Sequence, residues 1–309
     1  MKKLENLKIL VVGDIMLDRY IYGTVERISP EAPVPVVEVT HENSTLGGCG
    51  NVARNLRELG AQVDCLASIG IDVDGETIRE ELLHIGAKPL LFYGSIKSTV
   101  KERIIADQRK VQMLRIDREE VKPIPSKLPI DILVRMNGEK LKYDIVVVSD
   151  YAKGMISSGL MTFLKEEQKA KIIVDPKPIN CGIYNGVYMI TPNKKEWEEI
   201  LFASSYTLNH VNYILATKGS KGMTLIDNFN NEHTEDIPAE PVAVYNVSGA
   251  GDTVVAVMAV CLSMGLDPLK AARVANKCAG YVITQPGTSV IPKNKFIQNL
   301  ECVTGGKNV

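Results

Sequence analysis

The segment Asn246-Val247-Ser248-Gly249-Ala250-Gly251-Asp252-Thr253 carries the sharpest chemical signal in the chain. A strand-like approach over Val242–Val247 meets a Gly-Ala-Gly turn, and an apolar run then predicts a helix over Ala250–Met264. Small residues let an anion approach the backbone, and the first N–H groups of a helix have no partner inside it. A carboxylate in the first turn can simply favour the helix start. Beside an anion site it can also act as a base. Together, Gly249, Ala250, Gly251 and Asp252 have the parts that phosphoryl transfer to a hydroxyl requires.

Other segments supply complementary groups. Gly47-Gly48-Cys49-Gly50-Asn51 opens a second helix. Its Gly48-x-Gly50-x-x-Ala53 spacing also fits a dinucleotide-binding turn, with Asp72 and Asp74 about twenty residues on, so hydride transfer is a rival chemistry. The residues entering this turn, His41–Thr45, are polar rather than strand-like, and the glycines could serve close packing alone. Asn193-Lys194-Lys195-Glu196 reads as a helix capping box, a role that leaves Asn193 and Glu196 able to face water and magnesium. Thr217-x-Gly219-x-x-Gly222 follows a strand and is either a plain turn or a nucleotide loop. No G-x-x-x-x-G-K-[ST] sequence occurs, which disfavours a P-loop enzyme.

Asp14 ends the first apolar run, where α/β sheets bind ligands, and Asp18 follows four residues later. Asp14 and Asn51 offer acceptors suited to a polyol. Lys101 and Arg103 lie two apart in a predicted strand and so share a face, which could take a phosphate or be a solvated edge.

The elements that must position these groups alternate. Apolar, β-branched runs at Lys8–Val12, Asp144–Ser149, Lys171–Asp175, Val187–Thr191 and Tyr213–Thr217 predict buried parallel strands. Helices are predicted over Asn51–Leu59, Met155–Lys169, Asn193–Leu201, Ala250–Met264 and Pro268–Thr284. The expected fold is a layered α/β body of one domain, residues 1–309, with a mostly parallel sheet. Two stretches, about 17–46 and 88–117, break the pattern and predict a small β-sheet lid; Thr99–Ala106 and Val111–Asp117 read as its hairpin.

Composition narrows the class. The 309 residues carry 36 Lys+Arg and 37 Asp+Glu, a net charge of −1 that gives no footing for a nucleic-acid partner. Six cysteines without a C-x-x-C pair predict buried, reduced thiols, and four scattered histidines lack metal-ligand spacing. No leader or spanning segment is read, so a cytoplasmic location away from membranes is expected.

Taken together, these segments resemble the ribokinase-like (PfkB) carbohydrate kinases, and the resemblance covers essentially the whole chain. Gly47-Gly48-x-x-Asn51-x-Ala53 is similar to the family's first signature, and residues 246–253 to its second, with Asn246 where Asp is usual and Ser248 before the glycine. The resemblance implies an ATP-dependent sugar kinase with a ribokinase-like fold, Asp252 as base, and Gly249, Ala250 and Gly251 as the anion hole. It implies Asp14, Asp18, Gly47, Gly48, Asn51 and Asp150 at the sugar, with Lys101 and Arg103 at a distal phosphate. It implies Lys177, Asn193, Glu196, Thr217, Gly219, Gly222 and Asn276 at the nucleotide. Mg²⁺ would arrive with ATP, met by Asn193 and Glu196 through water, with a monovalent cation as a further candidate.

Within the family, Val12–Tyr20, Arg27–Val36, Ser149–Gly154 and Asp175-Pro176-Lys177 look like the branch that phosphorylates C1 of a heptose 7-phosphate in lipopolysaccharide precursor synthesis. Three other readings stand beside it: a sibling kinase for another sugar or nucleoside, the nicotinamide-dependent oxidoreductase, and a silent sugar- or nucleotide-binding regulator. The resemblance also implies a homodimer through the lid, and a separate nucleotidyltransferase for any adenylyl transfer. The stretch Glu196–Tyr213 is shorter than the family's pattern, and Ala106–Val111 slightly longer.

Overall fold

The β-branched runs become the centre of a large sheet. The computed structural model describes residues 2–94, 97–108, 110–124, 143–167, 170–202, 208, 210–228 and 233–306. Its strands are β1 (Lys8–Gly13), β2 (Ile15–Ile28), β3 (Pro35–Gly48), β4 (Gln62–Ile69), β5 (Lys88–Tyr93), β6 (Thr99–Ala106), β7 (Val111–Arg118), β8 (Ile145–Ser149), β9 (Lys171–Asp175), β10 (Met189–Ile190), β11 (Tyr213–Thr217), β12 (Met223–Asp227) and β13 (His233–Ile237). The α-helices are α1 (Cys49–Glu58), α2 (Val73–His84), α3 (Ser158–Glu167), α4 (Lys194–Phe202), α5 (Ala250–Ser263), α6 (Pro268–Val282) and α7 (Lys293–Thr304).

Nine strands form one sheet in the order β13-β12-β11-β10-β9-β8-β1-β4-β5. It is parallel from β5 to β11, and β12 and β13 add antiparallel. Alternate residues of β1 feed different cores. Ile9 and Val11 join the cluster that holds α1 and α5, while Leu10 and Val12 join Leu160 and Leu164 of α3. Burial on both faces explains why these strands read as continuous apolar runs. Helix α5 is apolar all round because every residue from Asp252 to Leu262 is buried.

The second sheet has the order β3-β2-β6-β7. Two hairpins, β2–β3 and β6–β7, meet through the parallel β2/β6 pair. The lid stretch read as beginning at 88 is corrected here: Lys88–Tyr93 pairs with β4 and closes one edge of the large sheet.

Other expectations shift for local reasons. Val242–Val247 is not a strand; Tyr245 and Asn246 both donate backbone N–H groups to Ile283 O, at 2.8 and 3.0 Å. Helix α3 starts at Ser158 rather than Met155, because the amides of Tyr151, Lys153 and Met155 donate to the Asp14 carboxylate. The run Val187–Thr191 contributes only Met189–Ile190 as strand. Most of the shortened 196–213 stretch beyond α4 lies outside the described residues. All six cysteines are free; five are buried, as expected, and Cys302 is exposed. Among the described residues no helix is long and apolar enough to cross a membrane.

Candidate active site

The catalytic candidate sits where α5 begins. Gly249 caps that helix with φ +80°, a left-handed conformation that glycine adopts freely. A Cβ there would come within 2.9 Å of Asn51 Nδ2. Of the amides expected to form the anion hole, Ala250 N–H turns back to Val247 O at 3.3 Å. Those of Gly251 and Asp252 have no backbone acceptor among the described residues, as the opening of a helix dictates. Space beside Gly251 is open: a Cβ would meet nothing within 4 Å.

Asp252 is only 6% exposed. Its Oδ2 accepts from Asn51 Nδ2 at 2.7 Å and its Oδ1 from Tyr151 Oη at 3.2 Å. Burial pushes its carboxyl up to about 6, although both donors favour the ionised form. The Asn51 amide is oriented in turn, since Arg54 donates to Asn51 Oδ1 and to Thr288 O, both at 3.3 Å.

A cavity of about 170 Å³ opens over Asp252 and Gly251 and extends to Tyr151, Asp175, Lys177 and Glu196. Asn193 and Glu196 form the reciprocal capping box that their spacing predicts. Asn193 N–H donates to Glu196 Oε2 at 3.0 Å, and Glu196 N–H to Asn193 Oδ1 at 3.0 Å. The box also faces the cavity, and Glu196 pairs there with Lys177. Asp175, at the carboxyl end of β9, is driven well above the usual carboxylate range by burial and by the charges of Asp252 and Glu196.

These oxygen donors match a hard cation such as Mg²⁺. Among the described residues no group of three or more His, Cys, Asp or Glu could hold a metal alone. With Glu196 already engaged by Lys177, contact through water fits the donor set better than direct ligation.

A larger, mostly apolar cleft of about 430 Å³ adjoins this cavity through Thr217 and Gly251. Val242, Val244, Val247, Val254, Ala279 and Ile283 line it. This explains why the Val242–Val247 run reads as strand-like although it joins neither sheet. Gly219 and Gly222 border the cleft. Gly222, at φ +86°, has room for no side chain, because a Cβ would lie 2.0 Å from Ile237 O. Asn276 also lines the cleft and donates its amide to Pro238 O at 2.7 Å.

On the lid side, Gly47 and Gly48 admit close neighbours. A Cβ on Gly47 would meet Asp18 Oδ2 at 2.5 Å, and one on Gly48 would meet Asp14 O at 2.3 Å. Asp18 pairs with Arg103 at 2.6 Å. Lys101 has no carboxylate within 4.0 Å among the described residues, and burial lowers its pKa. Its Nζ lies 5.5 Å from the centre of the Tyr151 ring.

Two of the expected sugar ligands are engaged inside the protein. Asp14 accepts three backbone N–H groups from residues 151–155, at 2.8 to 3.1 Å. Asp150 accepts from Ala152 N, Asn180 Nδ2 and Tyr184 Oη.

Reading by segment missed Tyr151, Arg54 and Asp175 as site residues. The available signal was position: Asp175 and Tyr151 fall at or just past the carboxyl ends of β9 and β8, the edge where open α/β sheets take ligands. The dinucleotide reading of Gly48–Ala53 is overturned. Gly48 ends the lid strand β3 and Gly50 lies in α1, and Asp72 caps α2 by accepting from Gly75 N at 2.7 Å.

The large parallel sheet and the small four-stranded sheet define a ribokinase-like α/β fold, with a buried carboxylate at a helix start beside the cavity. The pfkB family carbohydrate kinase pattern matches residues 6–294, and the chain belongs to that family. It is 37% identical over 307 residues to the bifunctional protein HldE of Paramagnetospirillum magneticum, covering 94% of this chain and 62% of that protein. The bifunctional protein HldE of Helicobacter hepaticus is 37% identical over 313 residues, covering 95% and 64%. The chain thus spans less than two thirds of these relatives' length.

The fold is shared with phosphofructokinase-2 from Escherichia coli in complex with potassium, at TM-score 0.75 and 15% identity, covering 96% of this chain and 99% of that one. It is also shared with ribokinase from Thermotoga maritima, at TM-score 0.69 and 18% identity, with the same coverage.

Proposed function

We propose that the chain transfers the γ-phosphoryl group of ATP to the C1 hydroxyl of D-glycero-D-manno-heptose 7-phosphate. The observation that carries this reading is the buried Asp252 carboxylate beside the open amides at the start of α5, on a cavity continuous with an apolar cleft of nucleotide-base character. Asp252 takes the hydroxyl proton. The Gly251 and Asp252 amides, at the opening formed by Gly249 and Ala250, stabilise the transferring group. Lys177 offsets phosphate charge. Asn193 and Glu196 would hold, through water, the Mg²⁺ that comes with ATP, and that ion would supply charge neutralisation on the phosphates. Thr217, Gly219, Gly222 and Asn276 border the nucleotide.

The sugar lies between Asp18, Gly47, Gly48 and Asn51, with Lys101 and Arg103 toward its distal phosphate. Asp14 and Asp150 act behind that layer by holding the 150–155 loop. The heptose assignment is supported by the resemblance of the 12–20, 27–36 and 149–154 segments and by the HldE relatives. Exposed apolar residues on the lid, among them Val39, Met113 and Leu114, support a homodimer through that sheet. A monovalent-cation requirement is tested by exchanging K⁺ for tetramethylammonium.

The pairing of Arg103 with Asp18 favours a second reading, a sibling kinase whose sugar carries no phosphate. The deciding experiment is ADP release from Mg·ATP with heptose 7-phosphate, fructose 6-phosphate, ribose and fructose, using wild type and Asp252→Asn. Turnover on heptose 7-phosphate alone, lost in the variant, supports substrate and base. Turnover on another sugar replaces the substrate and keeps the mechanism. Full turnover by Asp252→Asn removes the base assignment.

A further inference from the structure

Tyr151 is a side chain at the site whose contacts the mechanism leaves unused. It stands just past β8, and its backbone is fixed from behind: Tyr151 N–H donates to Asp14 Oδ2 at 2.8 Å. The next residue, Ala152, takes φ +55°, a left-handed turn that an alanine rarely adopts. Asp14 receives two further amides from the same loop, so a buried carboxylate is committed to holding this segment in place. The segment delivers one side chain to the base: Tyr151 Oη donates to Asp252 Oδ1 at 3.2 Å.

We infer that Tyr151 is a positioning residue for the general base, forming with Asn51 a two-sided clamp that fixes both oxygens of Asp252 before the sugar arrives. The inference rests on the reading of Asp252 as the base.

A carboxylate on a buried helix start could rotate about its terminal torsion, which is broad for Asp. Donors on both oxygens remove that freedom: Asn51 comes from α1 and Tyr151 from the loop after β8. The Asn51 arm is itself oriented by Arg54. The Tyr151 ring also lies 5.5 Å from both Lys101 Nζ of the lid and Lys177 Nζ of the body, within cation–π range. One aromatic ring therefore touches the sugar-side cation, the nucleotide-side cation and the base.

The electrostatic surroundings are mixed. Asp18 on β2 raises the Asp252 carboxyl, and Lys101 on β6 lowers it. Asp175 at the end of β9, Lys177 just past it, Glu196 on α4 and the neutral Cys49 thiol on α1 also surround it, and Arg54 lies behind Asn51. Tyr151 stays protonated, because the Asp252 charge and burial both raise its phenol. It therefore donates throughout the working pH range and stabilises the ionised base.

The test is the titration of Asp252 itself, read by carbon-13 NMR of protein labelled at the Asp carboxyls, with Asp252→Asn identifying the resonance. Tyr151→Phe removes one hydroxyl and keeps the ring. The expected midpoint moves upward by about one pH unit, the size of a lost hydrogen bond to a charged group. In parallel, kcat of Tyr151→Phe falls about threefold near pH 6.5 and recovers above about pH 8, with KM for ATP unchanged, as a one-unit shift requires.

An unmoved midpoint in a folded variant overturns the clamp, as does an equal loss of kcat at every pH. Should Tyr151→Phe fail to fold, wild type protein with fluorotyrosine in place of tyrosine gives the same readout. Its more acidic phenol is a stronger donor, so the clamp requires the Asp252 midpoint to move down; a fixed midpoint overturns it. The NMR readout needs no substrate. A midpoint that moves in a protein inactive on every sugar keeps the clamp and removes the kinase reading.

Discussion

Asn51 Nδ2 lies 2.7 Å from Asp252 Oδ2, joining residues 201 positions apart across the α1–α5 seam. Both glycine-containing signatures open helices whose first turns face each other at this bond. The seam continues below it: Thr253 Oγ1 donates to Asn55 Oδ1 at 3.3 Å, and Asn55 Nδ2 donates to Asn51 O at 3.0 Å. Buried polar groups of this kind are costly when left without partners.

Asn51→Ala therefore weakens the protein as well as the site. The lost partner exposes a buried carboxylate to desolvation, and stability is expected to fall by about 1–3 kcal/mol. Thermal unfolding measures this. The Asp252→Asn, Asn51→Ala double variant should lose less than the sum of the singles, because the charge that suffers is gone.

Turnover should follow the ionisation of Asp252. Its carboxyl is raised to about 6 by burial, so it is protonated and unable to accept a proton at pH 5, and ionised at pH 7.5. The acid limb of kcat against pH is expected near 6 rather than near 4. A profile flat down to pH 5 would remove Asp252 from the rate-determining proton transfer.

Gly251→Ala separates stability from chemistry. A Cβ there meets no protein atom within 4 Å, and alanine favours a helical position over glycine by roughly 0.5–1 kcal/mol. The variant should melt at or slightly above wild type, yet under the proposed mechanism its methyl group would enter the space of the transferring phosphate. A loss of turnover of at least about 100-fold is expected, the lower end of removing one electrostatic contact. Unchanged turnover would place the phosphate elsewhere.

Lys101 on β6 has no carboxylate partner within 4.0 Å among the described residues, and the proposed site sets it toward the sugar's distal phosphate. Lys101→Ala is expected to raise KM for a phosphorylated sugar by about 10- to 100-fold, the worth of a charge-assisted hydrogen bond. KM for its unphosphorylated counterpart should stay within about twofold. Equal effects on both sugars would detach Lys101 from the distal phosphate.

Much of this arrangement is legible in the residue order, for identifiable reasons. Strands β9 and β11 match their apolar runs because both faces are buried, and the Asn193–Glu196 box is local chemistry completed within four residues. Val242–Val247 misleads because its apolar side chains line a cleft instead of pairing in a sheet. Lys88–Tyr93 misleads because a short edge strand carries no mark of which sheet it joins. Asp14 has the residue type and place of a ligand, but its engagement with three amides depends on a loop more than 130 residues away. Tyr151 was visible only as part of a motif, since its partner Asp252 lies 101 residues on.

The parallel seam between β2 and β6 has a consequence for how the molecule is made. Arg19 and Glu102, which bond across that seam, are 83 residues apart, and α1, β4, α2 and β5 lie between the two hairpins. Closing so long a loop costs entropy before the seam's contacts can offset it, so the pairing that sets Asp18 beside Lys101 is a high-contact-order one, expected to form slowly. Until then each hairpin shows a bare edge, and a neighbouring copy carries the matching one. At high concentration or during crowded synthesis, the competing product is a strand-exchanged pair of chains, in which the hairpin of one molecule completes the small sheet of the other.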